Sequence, residues 1–182
     1  EGYYTEKRSK FLAFSHHVST TDEIKALIGF YKTKYYDSRH VCYAYVLGAD
    51  RTVFRANDDG EPSGTGGKPI LGQINSNTLT DILVVVVRYY GGVNLGTSGL
   101  AIAYRTAALS AIKNAVIVKK YVEEDIVFSF PYVMLNAVMR IVKEMSPRII
   151  SQTYNNTCEM RFSIRSSEAM KFKEKLRKLS FQ

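Results

Sequence analysis

Tryptophan is absent and cysteine nearly so: Cys42 and Cys158 stand alone and far apart in a chain of 182 residues. A secreted scaffold of this size would use several paired cysteines, so this usage points to a reducing cytoplasm. Long apolar runs are missing too. The longest, residues 82–87, has six residues, against the roughly 20 that span a bilayer, so no membrane role is expected. No secretory leader is legible: Lys7, Arg8 and Lys10 lead straight into a strand-like run. The chain opens on Glu1 rather than Met, which implies that a few residues precede it. Internal repeats are absent, and 46% hydrophobic with 23% charged residues excludes a disordered tail, a collagen-like rod or a coiled coil. Acid is in deficit, 17 Asp and Glu against 25 Lys and Arg, a net +8. That balance favours an anionic partner such as nucleic acid, but it suits a basic enzyme as well, because charge governs association rather than fold.

The apolar periodicity that is present divides the chain in two. Residues 10–18 read as a strand, and Thr20-Thr21-Asp22-Glu23 as a capping box opening a helix over 22–35. Residues 40–47 alternate as a half-buried strand, with Val41, Tyr43, Tyr45 and Leu47 on one face and Cys42, Ala44 and Val46 on the other; residues 52–56 follow as its hairpin partner. Residues 58–72 hold five glycines, two prolines and three acids, which predicts a loop. The run 82–87 is continuous and β-branched, as in a strand covered on both faces. A second glycine-rich loop over 91–99 leads into an alanine-rich helix at 98–115, and 115–118 is expected as a short closing strand. The pattern then restarts with a strand at 125–130 and a helix carrying Met134, Val138, Ile141 and Met145, with Pro131 in its first turn. A hairpin follows (148–154 and 158–164, turning at Asn155-Asn156), then a helix with the stripe Ala169, Phe172, Leu176 and Leu179. This β-α-β-β-α order is ferredoxin-like without its last strand; Phe181-Gln182 is too short to supply it. The expected domains are residues 1–120 and 121–182, with 15 cations against 10 acids in the first and 10 against 7 in the second.

Two loops could carry chemistry. Gly67-Lys68 suggests a phosphate loop, but Pro62 and Pro69 stand where that motif needs Gly and Ser or Thr. Asp58, Asp59 and Glu61 either hold a hard cation such as Mg²⁺, shape a turn through backbone amides, or pair with Arg88 or Arg105 and fix the loop. The second stretch runs from a buried strand through Gly91, Gly92 and Gly96 to a helix start where Thr97 or Ser98 can cap. Such a start can bind an anion, or the turn can be purely architectural; the spacing is not that of a dinucleotide fold. Arg88, Tyr89 and Tyr90 suit phosphate contact and base stacking, or the tyrosines rim the core. His40 and Cys42 share a strand face without a third residue to orient a nucleophile. Adjacent His16 and His17 point to opposite faces and cannot share a metal. The basic stretch 161–178 is a solvated helix face or a nucleic-acid contact.

Taken together, DDGEPSGTGGKPIL at 58–71 and VVVVRYYGGVNLGTSGLAIAY at 84–104 resemble the signature of the YigZ/Impact family. Ser9-Lys10-Phe11 and DSRHVCYAYVLG at 37–48 agree with it. The resemblance implies an α+β chain: a ribosomal protein S5 domain 2-like domain followed by a small ferredoxin-like domain, similar to the last two domains of elongation factor G. Eukaryotic Impact proteins regulate translation by competing for the activator of the kinase that phosphorylates initiation factor 2, through a partner-binding domain this chain lacks. The family pattern falls on His40, Asp58, Asp59, Gly60, Glu61, Pro62, Gly64, Thr65, Gly67, Lys68 and Pro69, and on Arg88, Tyr89, Gly91, Gly92, Leu95, Gly96, Gly99, Leu100 and Tyr104. Gly66 stands where the family usually has Ala, which should loosen the loop, and Arg105 adds a cation. The expected role is a translation regulator, not an enzyme, that associates with ribosome or RNA through Lys68, Arg88, Tyr89, Tyr90, Gly91, Gly92, Gly96, Thr97, Ser98 and Arg105. His40, Asp58, Asp59, Glu61 and Thr65 organise the loop or hold Mg²⁺. No cofactor or resident metal is implied, and a translation-related protein is the other expected partner. The alternative is an enzyme or sensor that binds nucleotide or phosphate between the two loops.

Overall fold

A computed structural model describes residues 1–155 and 157–179. Chain contacts divide it into two compact units, Glu1–Ile117 and Val118–Gln182.

In the first unit, β1 (Gly2–Glu6), β2 (Ser9–His17), β3 (His40–Leu47), β4 (Val53–Asn57) and β5 (Ile82–Tyr89) form one antiparallel sheet in the order β1-β2-β5-β3-β4. The helices are α1 (Thr21–Lys34), α2 (Gly67–Ser76) and α3 (Gly96–Lys113). Central β5 is buried from Leu83 to Arg88, as its unbroken β-branched run requires. Val84 and Val86 join Cys42, Ala44, Ile70 and the alanines of α3 in one core, while Leu83, Val85 and Val87 meet Ile24 and Tyr31 of α1 on the other face. The sheet is therefore the middle of three layers. At the start of α1, the Glu23 amide donates to Thr20 Oγ1 at 3.2 Å; the Glu23 carboxylate reaches back to the Ser19 amide, one residue earlier than in a standard capping box.

Four expectations need correction. Strand β1 escapes notice because its hairpin turns on Lys7 and Arg8, both at positive φ (44° and 66°), where Asn-Gly is the usual signal. The loop 58–72 ends early: α2 begins at Gly67, and Pro69 lies in its first turn, where no amide partner is lost. Residues 115–118 form no strand, and Val116 is 92% exposed; β-branched propensity without a paired neighbour holds no ladder. Helix α3 begins at Gly96 behind Leu95, so Thr97 and Ser98 lie inside its first turn and neither caps it.

The second unit carries β6 (Glu123–Pro131), a 3-10 turn at Tyr132–Met134, α4 (Leu135–Met145), β7 (Arg148–Thr153), β8 (Thr157–Arg165) and α5 (Ser166–Leu179). Its antiparallel sheet runs β6-β8-β7, the order a ferredoxin-like half gives when α4 crosses from β6 to β7 and β8 returns between them. Val138, Ile141, Phe162, Phe172 and Leu176 fill its core. The turn residue Asn156 and the pair Phe181-Gln182, read as too short for a last strand, lie outside the described residues.

Candidate functional site

The sheet register builds a row of side chains under the first glycine loop. Arg88 pairs with Phe11 on one side and His40 on the other, and on the same face Tyr104 of α3 meets the Phe11 ring edge-on at 5.1 Å. Glu61 descends from the loop into this row. Arg88 Nη1 donates to Glu61 Oε1 at 2.6 Å, and the Tyr104 hydroxyl donates to the same oxygen at 2.7 Å. The Glu61 and Arg88 side chains are only 2% and 6% exposed. Burying both charges is costly, so their attraction matters chiefly because losing either partner strands the other. The guanidinium lies over the rings of both Phe11 and Tyr90, at 5.6 and 5.5 Å. Its Nε is buried without a hydrogen-bond partner among the described residues.

His40 closes the row. Its Nδ1 lies 2.8 Å from the Asp59 carbonyl oxygen; a carbonyl only accepts, so Nδ1 carries the proton. Nε2 then faces Glu61 Oε2 at 3.8 Å. Cys42, two residues on, donates to the Asp58 carbonyl at 3.0 Å, and burial pushes its thiol pKa upward. A buried, protonated thiol holding a loop is no nucleophile. Burial also pushes the Tyr104 phenol up, reinforced by Cys42 and Glu61, so Tyr104 stays a donor.

The three acids of the loop diverge. Asp58 accepts the amides of Gly64, Gly66 and Gly67 at 2.8, 2.9 and 2.8 Å, which winds the chain into the start of α2. Asp59 takes the Val41 amide at 2.7 Å and Lys32 Nζ at 2.6 Å. Thr65 Oγ1 donates to the Pro62 carbonyl at 2.6 Å. Gly67 has a steric reason: a Cβ there would lie 2.3 Å from the Asn57 nitrogen. Among the described residues no three His, Cys, Asp or Glu side chains are grouped to hold a metal.

The second loop packs against the β1–β2 hairpin. The Gly91 amide donates to Ser9 Oγ at 3.1 Å, and a Cβ on Gly91 would lie 2.2 Å from the Arg8 carbonyl carbon. Tyr89 turns to the α1 face, where its hydroxyl donates to Asp37 at 2.8 Å. Tyr90 is 47% exposed over Arg88, its hydroxyl on Asn94. Gly92, Gly96, Thr97 and Ser98 are exposed, and the first turn of α3 holds no acid and no side-chain cap. A hollow of about 210 Å³ beside this start is lined by Tyr4, Glu6, Lys7, Leu95, Gly99 and Ile102. Lys68 and Arg105 are exposed on α2 and α3, without an ion pair among the described residues. The structure thus gathers His40, Asp58, Asp59, Glu61, Thr65 and Arg88 into one network, with Tyr90 as its lid, and leaves Lys68 and Arg105 to solvent. Tyr104 escapes a reading from the residues, because it sits on an apolar helix stripe; only the family pattern marks it. Phe11 gives no signal beyond its strand.

The arrangement has relatives. The Impact N-terminal domain matches residues 7–112. The IMPACT family member YigZ of Escherichia coli is 31% identical over 172 residues, 93% of this chain and 84% of its own length. The IMPACT family member YvyE of Bacillus subtilis is 30% identical over 174 residues, covering 96% and 80%. A crystal structure of a hypothetical protein superposes with a TM-score of 0.69 at 30% identity, over 98% of this chain and 87% of that one.

Proposed function

The chain belongs to the Impact family, and from that premise we propose that it is a cytoplasmic translation regulator that associates with ribosome or RNA through its first unit. The carrying observation is how the charges divide. Asp58, Asp59 and Glu61 are turned inward onto backbone amides, Lys32 and Arg88. Lys68 and Arg105 remain exposed. Lys68 stands in the first turn of α2 and Arg105 midway along α3, and the uncapped start of α3 and Tyr90 are exposed as well, a set of groups that suits single-stranded nucleic acid. Arg88, being buried, acts here by holding Tyr90 in place rather than by touching phosphate. Both cysteines are free and buried, in keeping with a reducing compartment, and among the described residues no helix is long and apolar enough to cross a membrane. A nucleotide pocket closed by both loops has weaker support, since the hollow at the α3 start is bounded by β1 and its turn instead. The test is binding of the full chain to single-stranded RNA and to purified ribosomes at low salt. Retention that weakens steeply as salt rises is expected; no association at low salt overturns the reading.

A further inference from the structure

The second unit concentrates its charge on one layer. Helices α4 and α5 carry seven cations against three acids, a net +4, whereas residues 118–182 as a whole carry 12 against 7, a net +5. The helix layer therefore holds most of the unit's positive excess. Across the remaining residues, pairs such as Arg148–Glu123 and Arg161–Asp125 nearly balance the charge.

Between the two helices lies a hollow of about 440 Å³, within the roughly 300–1,000 Å³ range of binding clefts. Its wall on α5 is a stripe at positions 171, 174, 175, 178 and 179, the i, i+3, i+4, i+7, i+8 spacing of one helix face. Arg140, Ile141 and Glu144 of α4 face it. Four of the lining residues are cations, two are acids, and Ile141 and Leu179 supply an apolar floor. Glu144 takes Lys175 Nζ on both oxygens, at 2.8 and 2.9 Å. Arg140, Lys171 and Lys178 make no hydrogen bond or ion pair among the described residues. Lys175 first, then Lys171 and Arg140, hold the Glu144 carboxyl below its ordinary range. Three cations thus share the field of one carboxylate, and that carboxylate is 55% exposed, where an ion pair is weak and readily exchanged.

We propose that the α4–α5 cleft docks an acidic protein segment bearing an apolar anchor. Its carboxylates meet Arg140, Lys171 and Lys178, and its apolar side chain meets Ile141 and Leu179. Charge complementarity selects the acid, and the apolar floor selects a protein over a nucleic acid, because no aromatic ring lines the cleft for a base to stack on. Glu144 holds the place of the incoming carboxylate in the free protein. The cleft is built from residues of the second unit alone and does not depend on the RNA reading.

The test is fluorescence anisotropy of the full chain with a labelled peptide of glutamates carrying leucines at helical spacing. The wild type should bind it, and Lys171→Glu with Lys178→Glu should weaken binding roughly tenfold, with the circular dichroism spectrum unchanged. Glu144→Gln should tighten it about threefold by removing the competing carboxylate. Replacing the peptide's leucines by serine should also weaken it roughly tenfold. The proposal is overturned by any of three results. These are no binding at low salt, binding indifferent to the charge reversals, or a serine-substituted peptide or single-stranded RNA competing for the cleft as strongly as the leucine peptide.

Discussion

Arg88 Nη1 and the Tyr104 hydroxyl converge on one oxygen of Glu61, at 2.6 and 2.7 Å, with all three side chains buried. One carboxylate thereby ties the first glycine loop to the central strand and to α3. The loop's shape and Tyr90's seat over Arg88 rest on the same few bonds, so loss of Glu61 acts on stability and on the exposed surface together.

Glu61→Ala should therefore destabilise the first unit by about 3–5 kcal/mol, the usual cost of stranding a buried partner charge. Tyr104→Phe, which removes one donor to a charged acceptor, should cost about 1.5–3 kcal/mol. Urea titration followed by circular dichroism measures both. A Glu61→Ala loss under about 1 kcal/mol, the range of a solvated surface pair, would show that the pair is not buried in solution.

Much of this network was legible because residue types with few alternative uses recur at fixed spacing. Strand β5 announced itself through an unbroken run of six residues, and the alternation over 40–47 assigned Cys42 and Tyr43 to opposite faces, as observed. What periodicity could not show was direction. Arg88 looked like a phosphate ligand beside two tyrosines, yet it continues the Val84–Val86 face inward, and only the cross-strand register puts it beside Phe11 and His40. The start of α2 was hidden for a related reason. Gly67 reads as loop in any window, but here it is small because the backbone of Asn57 approaches to within a Cβ's space.

Two tyrosines of the sheet's α1 side set an alkaline limit. Tyr31 and Tyr89 are each pushed up to about 12, chiefly by burial, with Asp37 adding to the effect at Tyr89. The unfolded phenols ionise near the ordinary value of about 10. Between these values the folded chain binds more protons than the unfolded one, so stability falls as pH rises. The contribution is intact below about pH 10 and is lost progressively towards 12. Thermal melts from pH 8 upward should show a falling Tm, and Tyr31→Phe should flatten the fall. An unchanged slope in that variant would assign the loss to other groups.

The exposed cations and the buried one should separate in RNA binding. Lys68→Ala and Arg105→Ala should each reduce the salt slope by about 1 while leaving the melting temperature within a degree or two. Arg88→Lys keeps the charge but loses the planar contact with Tyr90 and Phe11, so it should lower stability first and binding only as a consequence. Melts and salt titrations on the same preparations distinguish the two patterns. If Lys68→Ala and Arg105→Ala leave the slope untouched, the RNA contact lies elsewhere on the chain.

Gly66 is bound to Cys42 by space alone. A Cβ at Gly66 would stand 2.6 Å from Cys42 Sγ and 3.1 Å from its Cβ, although the φ of −109° suits any residue. Asp58 holds the Gly66 amide and those of Gly64 and Gly67, bonds that oppose the loosening expected of a glycine here. Gly66→Ala should therefore destabilise by overpacking, about 1–3 kcal/mol. Cys42→Ala alone removes the sulfur and its bond to the Asp58 carbonyl, at a cost of about 1–2 kcal/mol. The double variant should cost less than the two single costs added, with a coupling of about 1 kcal/mol or more for two residues in contact. Additive costs in denaturant titrations would mean that the alanine methyl finds room by moving the loop instead of the thiol, and that Asp58 grips these amides less firmly than its three short bonds indicate.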